Sequence, residues 1–383
     1  MEKIKLGIIG VGNIGSAHVE TALRDAPEVS LRAIADRSEN RRSFYRERLP
    51  DSIPIFSEGS DLIASGACDA VIIAVPHYQH PELAIDAFAH GLHVLCEKPA
   101  GVYTKQVREM NEAAKKSGKT FAMMFNQRTN CLYRAMHRLV TSGELGAIRR
   151  VNWIVTDWFR SQYYYDSGAW RATWGGEGGG VLLNQCPHNL DLLQWICGMP
   201  SRVEAHCHEG KWHDIEVEDD VTAYLEYPNG ATGVFITTTG DAPGANRFEV
   251  TLDHGKLVCE NNKLTLYKNE MSLSEFLINA KEAFAQPSCE VSEVETDGQN
   301  PQHLGVINAF AANILRGEPL VAPGEEGIFG LTLSNAMHLS SWLGKTVDLP
   351  IDEDLFLDEL NKRRAISRLK TGESVYADTE GSY

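Results

Sequence analysis

The chain has 383 residues, 43% hydrophobic and 23% charged, with a formal net charge of −16. That length exceeds one ordinary core and predicts two domains. So acidic a surface repels phosphate backbones and anionic lipid, which argues against nucleic acid and membranes as partners; a small basic cluster still suffices to hold one dinucleotide.

The first third alternates between two patterns. "IKLGIIG" (4–10) is a short continuous apolar run, as a buried parallel strand should be. A helical pattern follows from residue 13 to about 26, then a strand (30–36) and a polar helix (38–49). "CDAVIIAV" (68–75) is strongly β-like, 81–91 is a helix ending in Gly, and "LHVLCEK" (92–98) is another strand. A helix at 104–118 ends in Lys and Gly, a good stop signal, and "KTFAMMF" (119–125) closes the series. Strands alternating with helices predict a doubly wound parallel sheet covered on both faces. The eight cysteines show no Cys-x-x-Cys pair, and no stretch approaches the apolar length of a bilayer span. The N-terminus runs straight into the first strand, with no signal-peptide core. A cytoplasmic protein with reduced thiols is expected.

The rhythm changes near residue 147. One long strand, "AIRRVNWIVTDW", leads into a Gly-rich aromatic loop and a helix within 178–195. Strands then follow without helices between them, at roughly 201–209, 219–227, 231–239, 246–253 and 256–267, with a hairpin signal at Asn229-Gly230. This predicts an α+β domain with an open, mostly antiparallel sheet. Helices return near 272–285, 303–316 and 325–343. The expected division is 1–128 for the Rossmann domain, 129–358 for an α+β domain of substrate binding and oligomerisation, and 359–383 for a surface tail. The late helices are candidates to pack back on the first domain.

Gly10-Val11-Gly12-Asn13-Ile14-Gly15 reads G-x-G-x-x-G, follows a strand and opens a helix. An acidic residue, Asp36, ends the next strand about twenty residues on, as the dinucleotide fingerprint expects. Gly10 permits the tight turn, Gly12 lets backbone approach the pyrophosphate, and Gly15 lets helix pack on strand. The helix N-terminus then stabilises phosphate. Asp36 accepts from ribose hydroxyls and repels a 2′-phosphate, favouring NAD; the adjacent Arg37 keeps NADP open.

Glu97-Lys98-Pro99 ends the strand at 92–98, at the carboxyl edge where open parallel sheets bind ligands. With that motif in place, "GIIGVGNIG", "VIIAVPHYQHPELAIDAFAHGLHVLCEKP" and "GGGVLLNQCPHNLDLLQW", in this order, resemble the glucose-fructose oxidoreductase / inositol dehydrogenase / MocA family. The resemblance covers most of residues 1 to 345. It implies a Rossmann domain, a C-terminal domain with an open sheet, NAD(P)-linked oxidation or reduction of sugars, cyclitols and polyols, and dimers or tetramers paired through that sheet. It further implies that Gly10, Gly12 and Gly15, with Asn13 and Ile14 in the same loop, hold the pyrophosphate and Asp36 the ribose. Ala74, Pro76 and His80 would line the nicotinamide half, and Asn126 would lie beside it. Glu97 and Lys98 match the Glu-Lys-Pro motif, whose Lys contacts substrate and nicotinamide ribose. His188 matches the catalytic histidine. The family has Asp four residues earlier, where this chain has Asn184.

On a continuous helix, positions 184, 188, 191 and 195 share one face, grouping Asn, His, Asp and Trp. Pro187 removes a backbone hydrogen bond there, so it either kinks the helix or marks its start. Alcohol oxidation with NAD moves a hydride to the nicotinamide and a proton to a base. Histidine suits the second task because its ordinary pKa is about 6.5. Lys98 would stabilise the developing alkoxide. Asn184 can orient the ring but not raise its basicity. Asp191 is left either supporting His188 or bonding to backbone or solvent. A buried helix histidine with a satisfied hydrogen bond is the alternative for His188.

The loop "TDWFRSQYYYDSGAWRATW" (156–174) is rich in Trp, Tyr and Arg. Aromatic faces stack on sugar C–H surfaces, and Arg binds hydroxyls or carboxylates. Trp170, Arg171 and Trp174, with Asn184 and His188, are the expected substrate contacts, and a glycoside-sized pocket is expected. A subunit-interface loop is the alternative. His206 and His208 share a strand face, but an ordinary polar strand outweighs a metal site. His303 opens a late helix within reach of either half of the site. The leading function is an NAD-dependent dehydrogenase of a sugar, cyclitol or glycoside. The alternatives are an NADP-linked ketosugar reductase, glycoside 3-oxidation with tightly held NAD, and a redox sensor without turnover.

Overall fold

The computed structural model describes residues 3–368 and residue 370. In the first domain β1 (Ile4–Ile9), α1 (Asn13–Arg24), β2 (Val29–Ala35), α2 (Glu39–Arg46), β3 (Ile55–Phe56), α3 (Gly59–Ala64), β4 (Ala70–Ile73), α4 (Gln79–Ala89), β5 (His93–Cys96), α5 (Thr104–Ser117) and β6 (Phe121–Met123) alternate along the chain. The six parallel strands lie in the order β3-β2-β1-β4-β5-β6. Ile8, Ile9, Ile72 and Ile73 are buried because helices cover both faces. The strand order reverses between β1 and β4, and this opens a crevice at their carboxyl ends.

After α6 (Cys131–Thr141) the chain enters a nine-stranded sheet. Its elements are β7 (Ile148–Val155), α7 (Gln162–Asp166), α8 (Pro187–Cys197), β8 (Arg202–Glu209), β9 (Glu218–Glu226), β10 (Thr232–Thr238), β11 (Asn246–Leu252), β12 (Gly255–Glu260), β13 (Lys263–Asn269), α9 (Leu273–Asn279), β14 (Cys289–Glu293), α10 (Gln302–Arg316), α11 (Gly327–Leu343), β15 (Val347–Asp348) and α12 (Glu353–Ile366). The order is β14-β13-β12-β11-β7-β10-β9-β8-β15. The β7–β10 pairing is parallel, and the others among the described residues are antiparallel. Side chains alternate: Val151, Trp153 and Val155 turn into the core, where Trp153 stacks on Phe248 at 4.0 Å. Ile154 and Tyr224 are exposed on the opposite face.

Several elements differ from expectation. The strand expected at 256–267 is the hairpin β12–β13, turning on Asn261 and Asn262, both with positive φ. The helix expected at 272–285 ends at Asn279. The boundary at 358 falls inside α12, whose Phe356 and Leu360 are buried, with Phe356 stacked on Trp342; the tail from 371 lies outside the described residues. Val306, Ile307 and Phe310 of α10 share a core with Leu6, Ile8 and Leu95. α11 joins the two halves, since Asn335 accepts from the Thr104 amide and donates to the Val102 carbonyl, while Ser340 accepts from the Ala205 amide.

A buried ion pair fixes α8. Arg128 follows β6 and is 2% exposed; Asp191 on α8 is 1% exposed. Arg128 Nε and Nη2 donate to the two Asp191 oxygens at 2.7 and 2.6 Å, and Nη1 donates to Glu326. Removing one partner strands a buried charge, which costs about 3–5 kcal/mol. Asp191→Ala should therefore lower unfolding free energy by about that amount in urea titration. A loss under about 1 kcal/mol would show that the pair does not hold the helix.

Candidate active site

A cavity of about 520 Å³ runs from the Gly10–Gly15 turn, past the carboxyl ends of β1, β4 and β5, to the loop before α8. At its first end Gly10 has φ +87°, and a Cβ there would meet the Ala74 carbonyl oxygen at 2.3 Å. At Gly12 a Cβ would meet nothing within 4 Å, so the backbone lies open at the N-terminus of α1. Asp36 accepts from the Val11 and Ser38 amides, each at 2.8 Å, tying the turn to β2. Four oxygen lone-pair directions leave it capacity for a ribose hydroxyl. Arg37 is paired with Glu58 at 2.8 Å on the surface. The open backbone, the helix N-terminus and the carboxylate fit a dinucleotide.

Asn126, Gln185 and His188 line the cavity and are at least nine-tenths buried. Each has a buried side-chain atom without a hydrogen-bond partner in the protein: Asn126 Oδ1, Gln185 Oε1 and His188 Nδ1. Native interiors satisfy such atoms, so their convergence on one cleft marks a ligand site.

Lys98 leaves the edge of the parallel sheet, and its Nζ donates to the Asn184 carbonyl at 2.9 Å. Burial pushes its pKa down, and the neighbouring Glu97 opposes that. Burial works against ionising Glu97, but a 2.7 Å hydrogen bond from His18 and the electrostatics of its neighbours, Lys98 among them, hold it at about 2. Burial, then the Lys98 charge, depresses His188 well below its ordinary value. The ring is therefore neutral and able to accept a proton.

α8 begins at Pro187, its first helical residue, where a missing N–H costs nothing. Asn184 thus lies in the turn before the helix, and the expected shared face of 184, 188, 191 and 195 is not formed. Asp191 turns to Arg128, and Trp195 stacks on His137 at 3.9 Å. The Asn184 amide donates to Glu177, a carboxylate that only accepts, so its Oδ1 faces Tyr164 and accepts from that hydroxyl at 3.3 Å. Glu218 accepts from the Gly180 and Leu182 amides and so holds this turn.

Of the residues expected from sequence, Gly10, Gly12, Asn13, Ile14, Asp36, Arg37, Ala74, Pro76, His80, Glu97, Lys98, Asn126, Trp170, Arg171, Asn184 and His188 all line this cavity. Gly15 lies behind it, where a Cβ would meet the Gly10 carbonyl at 1.9 Å. His80 has both ring nitrogens on backbone carbonyls, Pro99 and Val75, so it joins two cavity walls. Trp174 is a correction: it is 3% exposed and packs edge-on against His338 and Trp342, away from the cavity. His303 lines the cofactor side, its ring 5.6 Å from His18. Sequence reading did not single out His77, Trp158, Arg160, Tyr164 or Gln185. Three of these lie in the aromatic loop, where composition marked the segment but not which side chains turn inward.

A doubly wound parallel sheet with an open glycine turn at its switch point, and a cavity along its carboxyl edge, is the frame of an NAD-binding oxidoreductase. The NAD-binding Rossmann model of the GFO/IDH/MocA oxidoreductase family matches residues 4–125, and that family's C-terminal domain model matches residues 133–258. The chain belongs to this family. It is 24% identical over 345 residues to myo-inositol 2-dehydrogenase of Thermotoga maritima, covering 88% of this chain and 96% of that one. It is 24% identical to D-glucoside 3-dehydrogenase of Escherichia coli K12, covering 90% and 97%. A crystal structure of the WlbA dehydrogenase from Bordetella pertussis, in complex with NADH and UDP-GlcNAcA, superposes with a TM-score of 0.77 at 25% identity, covering 92% of this chain and all of that one. Among the described residues no helix is long and apolar enough to cross a membrane, and no His, Cys, Asp and Glu cluster suits a metal.

The open backbone at Gly12 yields a test. Gly12→Ala should leave the thermal midpoint unchanged but weaken NADH binding at least ~10-fold in a fluorescence titration, because the methyl group enters the pyrophosphate's approach. Unchanged NADH affinity would place the phosphates elsewhere.

Proposed function

We propose that the protein oxidises a secondary alcohol of a sugar, cyclitol or glycoside, with His188 as general base and Lys98 stabilising the alkoxide. The observation that carries this reading is that the buried His188 imidazole and the Lys98 ammonium line the same cavity, at the end away from the glycine turn. NAD, when bound, supplies the nicotinamide that accepts the hydride. Lys98 spends one N–H on the Asn184 carbonyl and keeps two for a substrate hydroxyl. Its charge lowers the cost of the developing oxyanion in this dry setting. His188 then takes the proton. A ring that resists protonation accepts it only as the hydroxyl acidifies beside Lys98. Asn184 carries no charge and acts by position: its carbonyl aims Lys98, and its amide is held by Glu177 and Tyr164. The relatives named for inositol and glucoside oxidation support this substrate class, and Trp158, Tyr164 and Trp170 provide faces for a pyranose.

His188→Ala should lower kcat/KM at least ~10²-fold with NADH affinity retained. Protonation removes the base, and a depressed pKa moves that loss to more acid solution. The wild-type kcat/KM profile should therefore stay level down through about pH 6.5. A near-normal rate in the variant, or an acid limb above that pH, would remove His188 from the role.

The exposed sheet face carrying Ile154 and Tyr224 supports pairing of two or four copies through this sheet. Light scattering should give a dimer or tetramer mass; a monomer at micromolar concentration would count against it.

A further inference from the structure

We propose that the substrate carries an anionic group, a carboxylate or a phosphate, held by Arg160 and Arg171; this rests on the dehydrogenase reading for where the sugar sits. The chain is acidic overall, at −16, yet the substrate end of the cavity gathers three cations: Lys98, Arg160 and Arg171. The nearby carboxylates have other partners. Glu97 is bound to His18, and Glu177, which feels the Arg171 charge but makes no ion-pair contact with it, is bonded to the Asn184 side chain and the Ala172 amide. Asp36 and Glu58 lie at the opposite, glycine-turn end, held by backbone amides and by Arg37.

Neither arginine makes an ion pair with any described residue. Both are braced instead. The Arg171 guanidinium lies over Tyr164 and Trp170, 4.6 and 4.9 Å from the ring centroids, and Nη1 donates to the Tyr164 hydroxyl at 2.7 Å. That of Arg160 lies over Tyr164 at 5.2 Å and Trp158 at 5.7 Å, with Nη1 donating to the Phe159 carbonyl at 2.9 Å. Stacking fixes the planes, and each guanidinium has five N–H donors in all, so most remain for a ligand. Two preset guanidinium forks with no carboxylate in ion-pair contact among the described residues, in a partly buried cleft beside a lysine, form a receptor for a planar or tetrahedral anion. The aromatic rings that brace them also present faces to the sugar. Neutral hydroxyls would accept the same N–H groups but bring no charge to meet the two guanidinium groups.

The test uses a set matched except at one carbon: glucose, glucuronate and glucose 6-phosphate. Binding to the enzyme–NADH complex is measured by calorimetry, and NAD reduction is followed separately. One or both anionic sugars should bind at least ~10-fold more tightly than glucose, and which one does so identifies carboxylate or phosphate. Arg160→Ala and Arg171→Ala should each reduce that preference to within about threefold, while Arg171→Lys retains part of it. Should Arg171→Ala not fold, Arg160→Ala carries the same reading. Equal or tighter binding of glucose, or an anionic preference that survives both alanine variants, overturns the proposal. Anionic preference without turnover upholds it and counts against the dehydrogenase reading. Oxidation of glucose without anionic preference does the reverse.

Discussion

The Arg128–Asp191 pair is the constraint on which the site's geometry depends. It joins the turn after the last Rossmann strand to the first turns of the helix that carries His188. Both groups are out of water, so the pair is worth little beyond its own desolvation, yet separating it leaves a bare charge in the interior. Its effect is therefore specificity of position. With α8 held this way, His188 and Lys98 both line the cavity, and the Asn184 carbonyl just before the helix meets the Lys98 ammonium. α11 and α10 reinforce the arrangement by inserting late chain segments between and behind the two sheets.

Electrostatics at the cavity run opposite to those of the molecule. An acidic chain keeps its cleft cationic at the substrate end and assigns the carboxylates there to internal partners. The buried histidines His77, His188 and His303 are all pushed below their ordinary values, first by burial. They add hydrogen-bonding capacity without adding charge. This leaves Lys98 and the two arginines to set the local potential, and leaves His188 free to accept a proton. The carboxylate that the family resemblance places at position 184 is absent, and Glu177 stands behind the amide instead, bonded to it rather than to the cavity.

Much of this was legible in the linear chain, for identifiable reasons. The Gly10–Gly15 turn rests largely on contacts within one βα unit, where a Cβ at Gly15 would strike the Gly10 carbonyl oxygen at 1.9 Å, with Ala74, just after β4, the distant neighbour at Gly10. Its residue pattern is therefore local and readable. The alternating strands and helices of the first domain were readable because a sheet buried on both faces needs continuous apolar runs. The aromatic loop was harder. Trp170 and Trp174 are four residues apart and alike in composition, yet one lines the cavity and the other is buried against Trp342. No periodicity governs a loop, so composition identified the segment but not the inward-facing side chains.

Sequence by itself determined the class of fold, the position of the dinucleotide turn and the short motifs that carry Lys98 and His188, because each is specified by neighbours within a few residues. Tertiary structure alone decided which groups partner which. Asp191 reads on a helical wheel as a companion of His188, but it turns to Arg128, far away in sequence. Pro187 ends the ambiguity at 184 by starting the helix after it. Arg160 and Arg171 come to line one cavity, braced on the same tyrosine, only once the loop folds over the sheet edge. Contacts of that kind join distant segments, and long-range pairing leaves no period or spacing in the chain that makes it.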